Sequence, residues 1–139
     1  MRLNKFLAHS GIASRRKCDD LIESGKVTIN GVIIRNYSYQ VNIEDIIICN
    51  GIVIDKIPER RVYLLNKLSG YISTSKDPQK RKRVIDLISS NDRLFTIGRL
   101  DRNTTGAILV TNDGELANML MHPRNHIERV YIAASKDDL

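Results

Sequence analysis

Two Asn-Gly dipeptides, at residues 30–31 and 50–51, constrain the fold of this chain more than any other feature. Each lies between β-branched residues, in the stretches KVTINGVIIR and DIIICNGIVID. Both central residues of a tight hairpin turn need positive φ angles, which asparagine and glycine adopt at low cost. The sequence therefore predicts two β-hairpins, which together form a small β meander.

Two short helices are predicted before the hairpins. Leu3, Phe6 and Leu7 recur at the spacing of one helix face, which indicates a first helix. Ser14 is suited to cap a second helix that runs to about Ser24, because its hydroxyl can accept a bond from a free backbone amide of the first turn. The N-terminal part is thus two helices followed by strands.

Positive charge is the main clue to a partner. The chain carries a formal net charge of +6 at a pI near 9.5, which makes a polyanion the first ligand to consider. Arg15, Arg16 and Lys17 crowd the start of the second helix, where cations oppose the helix dipole, and Lys26 follows that helix. These four cations are candidates for contact with an external anion, although an ordinary solvated charge run is the alternative.

Several classes of protein do not fit the composition. No apolar run approaches the roughly 18 to 20 residues that a membrane span needs, and the N-terminus lacks the pattern of a secretory signal. Cys18 and Cys49 belong to no CxxC pair, so we expect small buried thiols rather than zinc ligands. The sequence predicts a cytoplasmic protein that contacts no membrane.

A second set of elements follows a charged joint, DKIPERR, at residues 55–61. The predicted boundary divides the chain into residues 1–59 and 60–139. We predict strands at VYLLNK (buried on both faces), RLFTIG, GAILVTN and RVYIAAS, and helices at RVIDLISS and ELANMLM. Asn112, with Glu115 three residues later, is expected to cap the last helix, and Pro123 to end it.

The first part resembles a known RNA-binding module. The stretch KFLAHSGIASRRKCDDLIESGKVTINGVII is similar to the αL module, first described in a ribosomal protein of the small subunit. This resemblance implies that the basic second helix and the hairpin hold structured RNA. A weaker hypothesis places such a module in a ribosome-associated stress protein or at the terminus of a synthetase.

The second part resembles an enzyme family. LLNKLSGYISTSKD, GRLDRNTTGAILVTNDGELANMLMHP and ERVYIA are similar, in this order, to motifs of bacterial ribosomal pseudouridine synthases of the small-subunit synthase A family. The implied fold class is α+β, with the αL module followed by part of a mixed or antiparallel-sheet catalytic domain. The implied partner is ribosomal RNA, and the implied reaction, conversion of a uridine to pseudouridine, needs no cofactor and no metal.

Asp101, in GRLD, matches the catalytic aspartate of that family. Breaking a nucleoside bond develops oxocarbenium-like charge on the sugar, which a carboxylate can stabilise, attack covalently or relieve by removing a sugar proton. The sequence does not choose among these roles. The structural alternative is a capping or loop carboxylate that pairs with Arg99 or Arg102.

Three other residues receive roles from the resemblance. Arg99 is a candidate to fill the gap left by an extruded base, or else to contact a phosphate. Tyr131 matches a tyrosine that stacks on the flipped uracil, with a tyrosine of the core as the alternative. Arg129 keeps the positive charge of the family motif, whereas Val130 replaces its usual polar residue.

Asn66 and Lys67 are predicted as loop residues that approach the RNA backbone or else lie on a solvated surface. KDPQKRKR, at residues 76–83, is expected to face phosphates. His122 and His126 stand four residues apart, but Pro123 interrupts the helix that would align them, so no metal site is predicted.

The end of the chain departs from the family pattern. Family members continue past the tyrosine motif, whereas this sequence stops at AASKDDL, so we expect a truncated catalytic domain that lacks the cation pairing with the aspartate. A complete domain is expected to be a monomer, and open strand edges would favour self-association of a truncated one. The alternative function is therefore a catalytically inert RNA-binding fragment or remnant of such an enzyme.

Overall fold

The structure is a computed structural model and describes residues 1–55 and 57–136. Its fold class is α+β, as predicted, with three α-helices and two antiparallel sheets among the described residues. The helices are α1 (Leu3–His9), α2 (Arg15–Glu23) and α3 (Gly114–Met121), with 3-10 turns at Val84–Leu87 and Pro123–Asn125. The strands are β1 (Val27–Ile29), β2 (Val32–Ile33), β3 (Ile47–Cys49), β4 (Ile52–Val53), β5 (Val62–Lys67), β6 (Phe95–Ile97) and β7 (Gly106–Thr111). Lys56, within the predicted joint, and residues 137–139 lie outside the described residues.

The two N-terminal helices form as predicted. Leu3 and Leu7 of α1 are fully buried against Ile22 of α2, because the apolar spacing places them on one face. The side chain of Ser14 accepts a hydrogen bond from the Lys17 amide at 3.4 Å, which confirms the predicted cap. A helix pair with one shared apolar face leaves the opposite face of α2 open to solvent.

Both hairpins are present, and their strand order differs from that of a simple meander. Asn30 and Gly31 adopt φ angles of 51° and 81°, and Asn50 and Gly51 adopt 50° and 79°, as the turns require. The hairpins pair through their first strands, so the order is β2-β1-β3-β4. This order places β1 and β3, whose side chains are the more buried, at the centre of the sheet, where they belong to the same apolar core as the helices.

The two cysteines are free and buried, as predicted. Cys18 belongs to α2 and Cys49 to β3, and both are part of the apolar core formed by the helices and this sheet. Burial raises the pKa of the Cys18 thiol to about 11, because the thiolate would lose hydration. Both side chains therefore act as small apolar residues at neutral pH.

The second sheet has the order β5-β7-β6 and a smaller core. Val84, Leu94, Ile108 and Val110 are its buried apolar residues. The prediction that β5 is buried on both faces is wrong, since Leu64 is 74% exposed. An antiparallel sheet packed on one side only leaves alternate side chains uncovered.

The capping residue of α3 is Asp113 rather than the predicted Asn112. The Asp113 carboxylate accepts bonds from the amides of Glu115 and Leu116 at 2.9 and 3.2 Å. The Asn112 side chain instead accepts from the Arg61 amide and donates to the carbonyl of Glu59, both at 2.8 Å. Because the Asn112 side chain is hydrogen-bonded to residues distant in sequence, the next residue, Asp113, caps the helix. The helix ends at Met121, before Pro123, as predicted.

The predicted last strand, RVYIAAS, is not a strand. Residues 129–135 are irregular and exposed, with Tyr131 83% and Ile132 96% exposed. His126 adopts a left-handed φ of 50°, which turns the chain just before this segment. A strand must pair with a neighbouring strand, and none of the described strands pairs with this segment.

Candidate functional site

Asp101 lies in the loop that connects β6 to β7. Its side chain is exposed, and its backbone carbonyl accepts a hydrogen bond from the Thr104 amide at 3.0 Å, which closes a tight turn. Within residues 1–55 and 57–136 its carboxylate forms no ion pair, so the predicted alternative of a pair with Arg99 or Arg102 is not observed. Solvent and ligands can therefore reach both carboxylate oxygens.

Lys67 differs from its predicted place in a loop, because it ends β5 and is fully buried. Its ammonium group donates to the carbonyls of Leu68, Arg102 and Thr104 at 3.1, 3.0 and 2.6 Å. An ammonium group has three protons, and these three acceptors use all of them. Lys67 thus holds the loop that carries Asp101, and this geometry favours positioning over contact with RNA.

Ser73 holds the same loop from the other side of Asp101 and has no counterpart among the predicted site residues. Its hydroxyl donates to the Leu100 carbonyl at 2.8 Å and accepts from the Leu100 amide at 3.1 Å. Both bonds join Ser73 to the backbone of Leu100, the residue before Asp101. Nothing in the motif YISTSKD distinguishes this serine from its neighbours, so only the structure identifies it.

Arg99, Arg129 and Tyr131 line one cleft of about 320 Å³. Leu100 also lines this cleft and directly precedes Asp101, so the carboxylate belongs to the adjoining loop. Met121 of α3 contributes to the wall and accepts a hydrogen bond from the Gly98 amide through its sulfur at 3.0 Å. The structure therefore brings together the predicted arginines and tyrosine next to Asp101.

Asn66 is exposed and lies directly opposite Ala107 in the register of β5 and β7. Ala107 lines the cleft, and so does Ile108, whose side chain points to the opposite face of the sheet. Asn66 is therefore paired with a residue of the cleft, and it lies in a strand rather than in the predicted loop.

The four cations predicted on the first module lie on another surface. Arg15, Arg16 and Lys17 are exposed at the start of α2, and Lys26 is exposed between α2 and β1. None of these side chains forms an ion pair within the part of the chain that the structure describes. Their charge remains available to an external anion.

The basic loop at residues 76–83 is less open than its composition suggests. Asp77 pairs with Arg81 at 2.8 Å, and this bond lowers the pKa of Asp77 to about 2. Arg83 pairs with Asp86 at 2.6 Å. Within the described part of the chain no carboxylate pairs with the lysines of this loop, and the ammonium nitrogen of Lys82 lies 5.9 Å from the ring centre of Tyr71.

Neither a metal-binding cluster nor a membrane-spanning helix is found among the described residues. In the described ranges, histidine, cysteine and acidic side chains form no group of three that could hold a metal ion. The Nδ1 atom of His122 accepts a bond from the Arg124 amide at 3.2 Å and thus belongs to a local turn. No described helix has the length and apolar character needed to cross a membrane.

Comparison with known proteins identifies two regions. Residues 61–138 match the family described as RNA pseudouridylate synthase, and residues 1–47 match the S4 domain. A solved crystal structure of a pseudouridylate synthase is 30% identical, covers 91% of this chain and 54% of its own, and superposes with a TM-score of 0.48.

Curated relatives agree with the family match. Ribosomal large subunit pseudouridine synthase B of Bacillus subtilis is 44% identical over 97% of this chain and 55% of its own length. A protein of Aquifex aeolicus named as an uncharacterized RNA pseudouridine synthase is 43% identical over 96% of this chain and 54% of its own length. A putative chloroplastic ribosomal large subunit pseudouridine synthase of Arabidopsis thaliana is 40% identical over 99% of this chain and 37% of its own length. The chain spans about half the length of the Bacillus and Aquifex relatives and a smaller share of the Arabidopsis one. It belongs to the RNA pseudouridylate synthase family.

Proposed function

We propose that this chain supplies the RNA-binding module and the first part of the catalytic domain of a ribosomal RNA pseudouridine synthase. The proposed division assigns residues 1–59 to RNA docking and residues 60–139 to catalysis. The observation that carries the proposal is the Asp101 carboxylate, exposed on a loop held by buried Lys67 and Ser73. The cleft of Arg99, Arg129 and Tyr131 beside it provides a place for a base.

The proposed reaction rearranges one nucleoside. The bond between N1 of uracil and C1′ of ribose breaks while the Asp101 carboxylate stabilises the charge that develops on the sugar, attacks C1′ or removes a sugar proton. The freed uracil turns, its C5 forms the new bond to C1′, and the proton on C5 is released as N1 gains one. Atoms and electrons balance within the isomerisation, so the reaction consumes no co-reactant.

The reaction needs access to a base that normally stacks within RNA. An enzyme of this kind extrudes the target nucleotide, at a cost of a few kcal/mol that its contacts must offset. In the proposal Tyr131 stacks on the flipped uracil, a contact that contributes about 1–3 kcal/mol. Arg99 and Arg129 contact the adjacent phosphates or fill the gap that the extruded base leaves in the RNA helix.

Large-subunit ribosomal RNA is the proposed substrate to test first. The Bacillus relative, at 44% identity, and the Arabidopsis relative, at 40%, are both named for the large ribosomal subunit. The cations of α2 are suited to the backbone of structured RNA, a contact that depends on salt and carries little sequence information.

Release of tritium from ribosomal RNA labelled at uracil C5 tests the proposal. The intact chain is expected to release tritium, and Asp101→Asn is expected to release none, because the amide keeps the shape but loses the charge. Asp92→Asn is a matched control that removes a carboxylate away from the cleft. Release by Asp101→Asn at the rate of the unchanged chain would contradict the role of Asp101.

The second candidate function is RNA binding without turnover. The observation that favours it is the exposed, irregular segment at residues 129–135, which places Tyr131 without support from a neighbouring strand. Salt-sensitive RNA binding with no tritium release from either large-subunit or small-subunit transcripts would support this candidate. Release of tritium by the chain would contradict it.

A further inference from the structure

A second cleft, of about 650 Å³, lies between the N-terminal helices and the second sheet, away from Asp101. α1 and the start of α2 form one wall, and β6, α3 and the 3-10 turn at Pro123–Asn125 form the other. Its volume falls within the roughly 300 to 1,000 Å³ typical of sites for organic ligands. The cleft is therefore large enough to hold a nucleotide.

Four cationic side chains line this cleft: Lys5, Arg15, Arg93 and Arg124. Glu115 is the acidic side chain of the lining, and it is already paired with Lys5 at 2.5 Å and with Arg60 at 2.8 Å. Among the described residues, no carboxylate pairs with the guanidinium groups of the three arginines. The cleft thus presents unneutralised positive charge and is suited to a polyanion.

An aromatic ring lies in the same wall as the arginines. The guanidinium carbon of Arg93 is 5.7 Å from the ring centre of Phe95, and both side chains are half-buried. Phe95 and Gly114, the first residue of α3, both line the cleft, so the ring lies near the start of that helix. Guanidinium planes and aromatic rings are the surfaces on which unpaired RNA bases stack.

The position of this cleft connects two surfaces that have been assigned to RNA. Arg15 belongs both to the cationic start of α2 and to this cleft. His122 lines the cleft at the end of α3, and Met121, its neighbour in sequence, lines the cleft beside Asp101. A strand that leaves the α2 surface can therefore follow this wall toward Asp101.

We propose that this cleft binds a single-stranded segment of the RNA substrate, with its phosphates at Arg15, Arg93 and Arg124 and a base against Arg93 and Phe95. The inference rests on the proposed function, since it assigns a further contact to the same RNA. Single-stranded RNA fits better than a duplex, because a base can enter the cleft only when it is unpaired.

Binding of a fluorescent single-stranded oligouridylate, measured by anisotropy across a salt series, tests the inference. Arg93→Gln and Arg124→Gln are each expected to weaken binding about fivefold or more at low salt. Each is also expected to reduce the slope of log K against log salt by about 0.7, the value for one lost phosphate contact on a single strand. Arg2→Gln removes the same charge from the exposed residue before α1, outside the cleft, and is expected to change binding by less than about twofold.

A second measurement locates the base and does not depend on affinity. Oligouridylate that carries 4-thiouridine is expected to crosslink under light to the peptide that contains Phe95, and Phe95→Leu is expected to remove that crosslink. Equal effects of Arg93→Gln and Arg2→Gln, together with no crosslink to this peptide, would overturn the inference. Equal competition by an oligoglutamate of the same charge would also overturn it.

The outcome can be separated from that of the proposed function by tritium release from the same variants. Unchanged oligouridylate binding by Arg93→Gln and Arg124→Gln, with tritium release by the unchanged chain, would overturn only this inference. A chain that binds neither oligouridylate nor ribosomal RNA would overturn both, because the cleft site presupposes an RNA ligand. Circular dichroism of each variant verifies that the arginine and phenylalanine replacements leave the fold unchanged.

Discussion

The two regions of this molecule differ in the size of their apolar cores. In the N-terminal region two helices and a four-stranded sheet enclose an apolar core of nine buried residues, whereas the apolar core of the described C-terminal region has four. Both regions also expose large apolar side chains: Val32 is 63% and Ile52 66% exposed in the first, and Leu64 is 74% and Ile132 96% exposed in the second. The first region therefore differs in its larger core, and an exposed apolar sheet face is typical of a surface that packs against a partner.

The largest expected effect compares a buried with an exposed aliphatic residue. Ile22→Ala should lower the free energy of unfolding by about 2–5 kcal/mol, because it removes buried methyl groups and leaves a cavity. Leu64→Ala should change it by less than about 0.5 kcal/mol, since that side chain is largely in water. Urea unfolding, monitored by circular dichroism, measures both.

Protein concentration sharpens this comparison. If Leu64→Ala lowers the free energy of unfolding as much as Ile22→Ala does, the exposed sheet face is buried in solution. Unfolding midpoints that rise with concentration in the unchanged chain, and lose this dependence in Leu64→Ala, would assign the burial to the predicted self-association.

The next effect concerns the loop of Asp101. Lys67→Met keeps the length of the side chain but leaves the carbonyls of Arg102 and Thr104 without their donor, at an expected cost of about 1–3 kcal/mol. Faster hydrogen exchange of the Thr104 amide and slower tritium release are expected together, because the turn at Asp101 loosens. Hydrogen exchange measured by NMR gives the first quantity.

Asn66→Ala is the matched control, because it changes the adjacent exposed position of the same strand. It should leave the exchange of the Thr104 amide unchanged. If Lys67→Met preserves both exchange and unfolding free energy, the buried ammonium does not hold the loop.

The smallest effect is a pH dependence at the junction of the two regions. Burial, followed by the nearby Lys5, lowers the pKa of His9, while Glu115 and Asp113 oppose this shift and Arg60 adds to it. A lowered pKa means that the unfolded chain binds the proton more readily than the folded one. The contribution of His9 to stability is therefore complete above about pH 6.5 and declines as the pH falls through the lowered value.

Titration by NMR checks this expectation. The His9 resonances should titrate below the ordinary histidine value of about 6.5, and His9→Gln should flatten the dependence of stability on pH between about 7 and 5. A titration of His9 above the ordinary value would contradict both the burial and the influence of Lys5.

Local signals predicted more of the first region than of the second. Ser14 capped α2 and both Asn-Gly turns formed as expected, because each depends on a few adjacent residues. In the second region Asn112 was assigned the wrong role, since its side chain contacts Arg61 and Glu59, more than 50 residues away. A pattern in a short window does not contain such partners.

The candidate site also contains residues that the sequence located and residues that only the structure revealed. The GRLD motif located Asp101 by resemblance, and the structure placed Arg99, Arg129 and Tyr131 around one neighbouring cleft. The supports of the loop could not be predicted, because a buried lysine and a serine become identifiable only when the carbonyls they bind are brought close. For the same reason Lys67 was expected in a loop and is found in the sheet.

The sequence by itself determined the elements whose causes are local: the helices with apolar spacing, the turns that need positive φ, and the net positive charge. The tertiary structure decided the strand order β2-β1-β3-β4, the capping residue of α3, the irregular course of residues 129–135 and the burial of Lys67. The physical reason is that each of these outcomes depends on hydrogen-bond partners from distant parts of the chain. Backbone groups must be paired wherever they are buried, and only the folded chain determines which partner is within reach.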